Sequence, residues 1–478
     1  LVLWSQIWET MAVYLSGVCG VKSVHQTDEL GKIQRIPTFF YSGANAHFMN
    51  AELLIKGGLV LVGDGSPPKR ADVVIDEGKL VRVGEARGIS ADEVIDGSGR
   101  LVMPAFVNTH THLAMTLFRG YADDLSLDVW LGEHIWPIEA KLRASHVRAG
   151  ALMGALELIR SGVGTFCDMY FFMDEVARVI EESGLRGFIG HGMIELGDER
   201  RGKKELSEAR RLVREYEGHA DGRVRTMYAP HAPYTCSLEF LHRVREVADE
   251  DGVGIHMHLL ETQKEKEELE ERHGRSIVSV LSEMGFLGGD VLAAHCVWLS
   301  DEDIRLLHHH NVKVSHNPVS NMKLASGVAK VPEMLDAGIN ISLGTDGCAS
   351  NNNLDMLGEM KAAALLHKVF RLSPTVMSAP TVLQMATLSG YRALGLNGGL
   401  LREGYDADLV MLDLTSERLL PLHNVVSNIV YSASPCDVVS TIVQGKVLMH
   451  ERVVRTLDAR EVAFQFARAV DELFESKA

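Results

Sequence analysis

Eight short apolar runs alternate with amphipathic or charged stretches through the middle of the chain, and this alternation restricts the possible folds more than any other feature. The runs cover 101–107, 163–168, 185–191, 224–229, 253–258, 291–295, 312–315 and 340–345, with helical stretches such as 175–183, 237–251 and 263–273 between them. A strand that is apolar on both faces needs cover on both faces, which a helical crossover to the next parallel strand supplies. Eight such units predict an α/β fold whose sheet closes into a (β/α)8 barrel, a TIM barrel. In that fold chemistry sits at the C-terminal ends of the strands, so the informative polar residues should fall where the apolar runs stop.

The flanks have another texture. Between residues 55 and 95 the pattern is short strands with turns, at 59–62, 72–76, 79–83 and 93–95, punctuated by Gly57-Gly58, Gly63-Asp64-Gly65 and Pro67-Pro68. It returns at 407–412 and 438–443, followed by Gly445-Lys446-Val447. Both chain ends are therefore expected to build one small β-sandwich: 49–100 as its first part, 101–395 as the barrel, 396–455 as its second part, and 456–478 as a C-terminal helix. Residues 1–21 are apolar but interrupted by Ser5, Gln6, Glu9 and Thr10, and lack the basic start of a signal peptide. Met49-Asn50 reads as the natural start of the first domain, and 1–48 as a disordered N-terminal extension.

The polar residues do fall at the ends of the runs. The first ends in Val107-Asn108-Thr109-His110-Thr111-His112. Residues two apart on a strand face the same side, so His110 and His112 project together. The fifth run ends in His256-Met257-His258 and continues Leu259-Leu260-Glu261; the sixth ends in Ala294-His295-Cys296 and the eighth in Thr345-Asp346-Gly347. Imidazoles from three strands and a carboxylate from a fourth thus reach one rim. Three His and one Asp around an open position describe a catalytic rather than a closed structural metal site.

Composition narrows the partners. A net charge of −16 over 478 residues argues against nucleic acid as a partner. No apolar run is long enough to span a bilayer, so no membrane partner is expected, while homo-oligomerisation stays open. Six scattered cysteines without a Cys-x-x-Cys pair speak for a reducing compartment, read here as the cytoplasm, and against a thiolate metal site. Cys296 and Cys348, near the rim, read as small buried hydrophobes.

With the motifs around these residues, the sequence resembles the amidohydrolase superfamily and, within it, the 5'-methylthioadenosine/S-adenosylhomocysteine and 5'-deoxyadenosine deaminases. The matching segments are Pro104-Ala105-Phe106-Val107-Asn108-Thr109-His110-Thr111-His112, His258-Leu259-Leu260-Glu261, Ser315-His316-Asn317-Pro318, Gly344-Thr345-Asp346 and Gly404-Tyr405-Asp406-Ala407-Asp408-Leu409-Val410. The resemblance implies that His110, His112, His258 and Asp346 bind one divalent cation, zinc (Zn2+) first, with iron or manganese able to use the same donors. It implies hydrolysis of the 6-amino group of 5'-modified adenosines to the inosine derivative and ammonia, the nucleoside being a small-molecule partner. Asp346 would take a proton from the attacking water, His295 would orient that nucleophile and stabilise the charge on its oxygen, and Glu261 would protonate ring N1.

The same resemblance assigns substrate contacts. Trp130 and Glu139 would meet the sugar, a carboxylate being able to accept two hydrogen bonds from a vicinal diol; Glu133 is the rival one turn away. His231 matches a nucleoside contact, and Glu261 and Asp346 also face the substrate. The family holds the homocysteine carboxylate with an arginine. Here 197–204 departs from that pattern, leaving Arg200 or Arg201.

Blander readings compete for several of these residues. Glu261 could be an acid opening a helix, Glu139 a solvated helix residue, and His231 a loop histidine bonded to carbonyls. Conversely, His308-His309-His310 cannot converge on one ion, because successive helix residues splay by about 100°. His256 reads as barrel filling, His316 and Asn317 as loop architecture, and 264–272 as a solvated helix face of mixed charge. Deamination of guanine or a pterin, triazine-type chlorohydrolysis, and a catalytically silent scaffold remain alternatives. Glu261 speaks against chlorohydrolysis, and the filled ligand positions speak against the scaffold.

Overall fold

Residues 89–96 alternate between exposed and shielded positions, as a strand with one wet face does. Residues 163–170 are buried throughout, as a strand covered on both faces must be. These two patterns separate the two sheets of the computed structural model, which describes residues 25–27, 33–35 and 49–474. The chain divides into two compact units, up to Met49 and from Asn50 onward. Of the first, only the antiparallel pair β1 (His25–Thr27) and β2 (Ile33–Arg35) is described. The expectation of a disordered 1–48 otherwise lies outside the described residues.

In the second unit both chain ends share one mixed sheet. Its strands are β3 (Met49–Val60), β4 (Lys69–Asp76), β5 (Lys79–Gly84), β6 (Ile89–Asp96), β7 (Arg100–Pro104), β16 (Leu409–Asp413), β17 (Val438–Val443), β18 (Lys446–His450) and β19 (Val453–Val454). They hydrogen-bond in the order β19-β18-β17-β16-β7-β3-β4-β5, with β6 on β3. The sheet folds over its own apolar core, Leu53, Ile55, Val73 and Ile75 packing with Leu409 and Ile442. Leu80 N to Tyr405 O (2.9 Å) and Ala407 N to Gly78 O (3.0 Å) tie the two ends together.

The barrel strands are β8 (Phe106–Thr111), β9 (Val163–Tyr170), β10 (Arg186–Met193), β11 (Val224–Pro230), β12 (Gly254–Leu259), β13 (Val291–His295), β14 (Lys313–His316) and β15 (Ile341–Leu343). They pair in parallel in consecutive order. From β9 onward each end lies within two residues of its expected position.

The first run is different. Residues 101–107 form two strands in two sheets. β7 pairs with β16 and β3, whereas β8 begins at Phe106 and pairs with β9, so the barrel starts at Phe106 and not at 101. A run buried along its whole length carries no mark of which sheet takes which residue, and periodicity could not see the break.

Side chains join the first and last barrel strands. Thr109 Oγ1 donates to Leu343 O (2.9 Å), Asn108 Oδ1 accepts from Thr345 N (3.0 Å), and Asn108 Nδ2 donates to Thr345 Oγ1 (2.7 Å). Asp346 N donates to His110 O (2.9 Å). The seam is too tight for a side chain at Gly344, where a Cβ would sit 2.6 Å from Ser315 Oγ and 2.8 Å from His110 Cβ. Among the described residues no helix is long and apolar enough to cross a membrane.

One buried ion pair couples the barrel to the end sheet. Arg186, which begins β10, reaches Asp408 Oδ2 (3.1 Å) and Asp406 Oδ2 (3.3 Å), and Asp408 Oδ1 also accepts from Gln444 N (2.7 Å). Removing one partner of a buried pair strands the other charge. Arg186→Leu should therefore lower unfolding stability by about 3–5 kcal/mol in denaturant titrations; a change under about 1 kcal/mol would show the pair to be neutral.

Candidate active site

His110 lies near the end of β8, His112 directly follows that strand, His258 lies in β12, His295 ends β13, and Asp346 follows β15. The barrel brings these five side chains to one rim. Donor atoms of His110, His112 and His258 lie within 4.8 Å of one another, as do those of His110, His295 and Asp346. Asp346 Oδ1 is 3.2 Å from His112 Nε2 and 3.4 Å from His110 Nε2.

What the other ring nitrogens do decides whether such a cluster fits a cation. His112 Nδ1 donates to Met169 O (2.7 Å), and His258 Nδ1 donates to His231 O (2.8 Å). His110 Nδ1 bonds to His256 Nε2 (2.9 Å). With the Nδ1 protons so engaged, three Nε2 lone pairs face inward, the tautomer a metal-binding imidazole needs. His110 Nε2 is buried and lacks a hydrogen-bond partner. The residues therefore fit a divalent metal ion, and the His/Asp cluster is able to hold one.

Charges agree for two of the three: burial keeps His110 down at about 4 and His258 well below the ordinary histidine value, which favours neutral imidazoles. Burial works the same way on His112, but the neighbouring Asp346 carboxylate outweighs it and raises that ring to about 9. Burial works against ionising Asp346, but the adjacent rings of His110 and His112 hold its carboxyl well below the usual range. Ser320 Oγ (2.6 Å) and Ser350 Oγ (2.8 Å) both donate to Asp346 Oδ2, which leaves Oδ1 toward the cluster.

The cluster floors a cavity that opens to solvent. Glu261 enters it from the loop after β12, with Oε2 3.8 Å from His295 Nε2. Burial raises the Glu261 carboxyl above its ordinary value, opposed by the charge of His295. His295 itself is oriented by its Nδ1 donating to Asn321 Oδ1 (2.8 Å). Leu260, His295, Cys296 and Asp346 all have positive φ (49°, 71°, 48° and 62°), so the exits from three barrel strands are left-handed at non-glycine residues.

The other predicted contacts line the same cavity. Trp130 is 5% exposed and opens a π-helical turn, Trp130–Ile135, that leads through Trp136–Glu139 to Glu139. Glu139 accepts from Tyr170 Oη (2.5 Å), and burial raises its carboxyl. The rival Glu133 is exposed and absent from the lining. His231 lines the cavity with Nδ1 3.0 Å from Thr235 Oγ1, and burial lowers it to about 3. A recess beside the cavity shares Trp136, Glu139, Phe171 and Ile194 with it and includes Arg201 in its wall; Arg200 lines neither space.

Sequence reasoning missed part of the support. His256 fills the barrel as expected but also holds His110, and its Nδ1 lies 3.2 Å from Cys167 Sγ. Asn317, read as loop architecture, stands directly before the helix Pro318–Lys323 and brings Nδ2 to 3.4 Å from His295 Nδ1. The stretch 264–272 is not wholly solvated: Glu265 and Leu269 are buried. These two stand one helical turn apart and so share an inner face, but a glutamate at the first position hides that face from any hydrophobic pattern. His308 and His309 end a helix at Asp301–His309, outside the cluster.

Similarity to known proteins leads to the same class of enzyme as the geometry does. The amidohydrolase family model matches residues 101–448, and the chain belongs to that family. It is 53% identical over 425 residues to the 5'-deoxyadenosine deaminase of Methanosarcina mazei, covering 88% of this chain and 98% of that protein. To the 5-methylthioadenosine/S-adenosylhomocysteine deaminase of Thermococcus onnurineus it is 54% identical over 400 residues, covering 84% and 94%. Among solved structures, a zinc-bound adenosine deaminase from Xanthomonas campestris superposes with a TM-score of 0.85 at 32% identity, covering 89% and 99%.

The purified protein should carry about one equivalent of divalent metal by elemental analysis. His110→Ala and Asp346→Asn should lose it and His309→Ala keep it; full metal in Asp346→Asn would remove Asp346 from the donors. A second expectation concerns Glu359, which bonds Asn351 Nδ2 and Val319 N and so ties together the loops after β15 and β14. Burial pushes its carboxyl well above the ordinary value, opposed by those bonds. The folded state thus holds the proton more tightly than the unfolded chain. That contribution is complete below the unfolded pKa of about 4.3 and is lost as pH rises through the raised value. Glu359→Gln should accordingly gain stability relative to the parent as pH rises from about 5 upward in urea titrations, whereas a constant difference would contradict the assignment.

Proposed function

We infer that the chain is a hydrolytic deaminase acting on the 6-amino group of 5'-modified adenosines, 5'-deoxyadenosine and 5'-methylthioadenosine among them. One observation carries the reading: a single cavity joins the His/Asp cluster, a buried carboxyl at Glu261 and a second carboxyl at Glu139. The names of the two similar deaminases support the substrate class, and the zinc-bound structural relative supports zinc as the resident metal. His110, His112, His258 and Asp346 would hold that ion.

When bound, a divalent cation supplies Lewis acidity that brings the pKa of water toward neutrality. The remaining work falls to the chain. Asp346, kept ionised, accepts the proton of the water that attacks C6. His295, turned by Asn321, faces the oxygen on which charge develops. Glu261 keeps its proton to higher pH than an ordinary carboxyl and gives it to ring N1, which makes C6 electrophilic. Asp346 then returns its proton to the amino group, which leaves as ammonia, while the proton of the C6 hydroxyl passes to Glu261 and restores both groups. Glu139 accepts hydrogen bonds from the ribose diol, with Tyr170 holding one of its oxygens. The recess beyond Trp136 and Phe171 suits an apolar 5' group, and Arg201 in its wall suits a carboxylate there.

Ammonia release across adenosine, 5'-methylthioadenosine, 5'-deoxyadenosine, S-adenosylhomocysteine, guanine and cytosine tests the assignment. The adenine nucleosides should be turned over, and Glu139→Gln should raise their KM about tenfold, the worth of one charge-assisted hydrogen bond. Free adenine, which has no diol, should not respond to that substitution. Turnover of guanine or cytosine with none of the adenine nucleosides would overturn the substrate class.

A further inference from the structure

The helix after Glu261 carries a carboxylate that the proposed chemistry does not use. Helix Gln263–His273 pairs charges along its outer side, as in Lys266 Nζ to Glu270 Oε1 at 2.7 Å. Glu265 turns inward from the same helix and is 5% exposed. Its Oε1 accepts from Leu260 N (3.1 Å) and its Oε2 from Glu261 N (2.8 Å). Burying an ionisable group costs free energy unless its bonds return something. Here both oxygens are spent on the two amides that precede and include the residue entering the cavity.

Those amides lie in an elbow that needs holding. Leu260 has φ +49°, a region that L side chains disfavour. On the opposite side, Leu260 O accepts from Val297 N and Trp298 N, both at 3.1 Å, in the loop that leaves β13 directly after His295 and Cys296. The elbow is therefore clamped between its own helix and the loop of the next strand. The Glu261 carboxyl is thereby registered against His295, with Oε2 3.8 Å from Nε2.

The geometry points to Glu265 as a positioning residue for the reaction: its buried carboxylate holds the Leu260–Glu261 elbow so that the Glu261 carboxyl faces His295 across the cavity. This rests on Glu261 being the group that transfers the proton. Glu265 touches neither substrate nor metal donors in this arrangement, and its effect reaches the chemistry through the backbone of Glu261.

The test compares Glu265→Gln, Glu261→Gln and the double variant on the best nucleoside of the ammonia screen and on its 6-chloro analogue, with metal content measured in each. The amide side chain keeps the bulk but sets an N–H group against a backbone N–H. Glu265→Gln should lower kcat for the amino substrate about 10- to 100-fold, with KM within about threefold and full metal content. The loss should be similar for the 6-chloro analogue, because ring N1 must be protonated whichever group leaves. In the Glu261→Gln background the second substitution should add less than about threefold, the non-additivity of two residues acting as one unit. Wild-type kcat in Glu265→Gln, or a loss that is confined to the amino substrate or accompanied by loss of metal, overturns the inference. Wild-type activity in Glu261→Gln overturns the proton-transfer reading and the inference with it. If Glu265→Gln does not accumulate as folded protein, Glu265→Asp, one methylene too short to reach both amides, is judged by the same outcomes.

Discussion

The seam between the first and last barrel strands carries the site. Strand ladders pair β8 through β15 in order, but at the closing edge side chains do the joining, Asn108 and Thr109 reaching across to Thr345 and Leu343. Closure by side chains fixes the relative height of the two strand ends, and those ends hold His110, His112 and Asp346. Asp346 N donates to His110 O at 2.9 Å, so the carboxylate is registered to the imidazoles through the backbone as well as through its own oxygens. Gly344 belongs to the same constraint, because any Cβ there would drive the strands apart. Two donors from the first strand and one from beyond the last can converge only if this edge is tight.

A second layer then decides what the donors present. Carbonyls of Met169 and His231 and the ring of His256 engage the three Nδ1 positions, and none of these groups adjoins its ligand in sequence. The arrangement removes a choice of tautomer, so each imidazole offers its Nε2 lone pair inward. Asp346 is treated in the same way, with Ser320 and Ser350 on Oδ2 and Gly347 N on Oδ1 at 2.8 Å. Rigid donors cost little to reorganise when a cation binds or when charge develops nearby, which is how a fixed polar site outperforms water.

The strands and the primary donors were legible because their signals are local. Full burial marks a barrel strand over four to eight residues, and the two-residue period puts His110 and His112 on one side. The missed features are tertiary. Whether the apolar run through Ala105 belongs to one sheet or two depends on the partners β16 and β9, which lie far along the chain. His256 reads as filling until the ring of His110 is placed beside it. Tyr170 has no pattern that announces a bond to Glu139. Glu265 was hidden by its neighbours: in a stretch of Lys and Glu, one inward carboxylate looks like the rest.

Left-handed residues at the strand exits show why the loops must be held so firmly. Leu260, His295, Cys296 and Asp346 adopt backbone conformations that cost on the order of 1–3 kcal/mol each and persist only where surrounding bonds over-determine them. At each exit such bonds are present: Glu265, Val297 and Trp298 around Leu260, Leu259 O accepting from Cys296 N at 3.0 Å, and His110 O accepting from Asp346 N. A relaxed exit would let the chain continue outward along the strand direction. The kink instead turns each side chain back over the barrel mouth, where Glu261, His295 and Asp346 surround one small volume. Strain at these points and the network that sustains it are therefore two sides of one requirement, that groups from different strands meet at the same place.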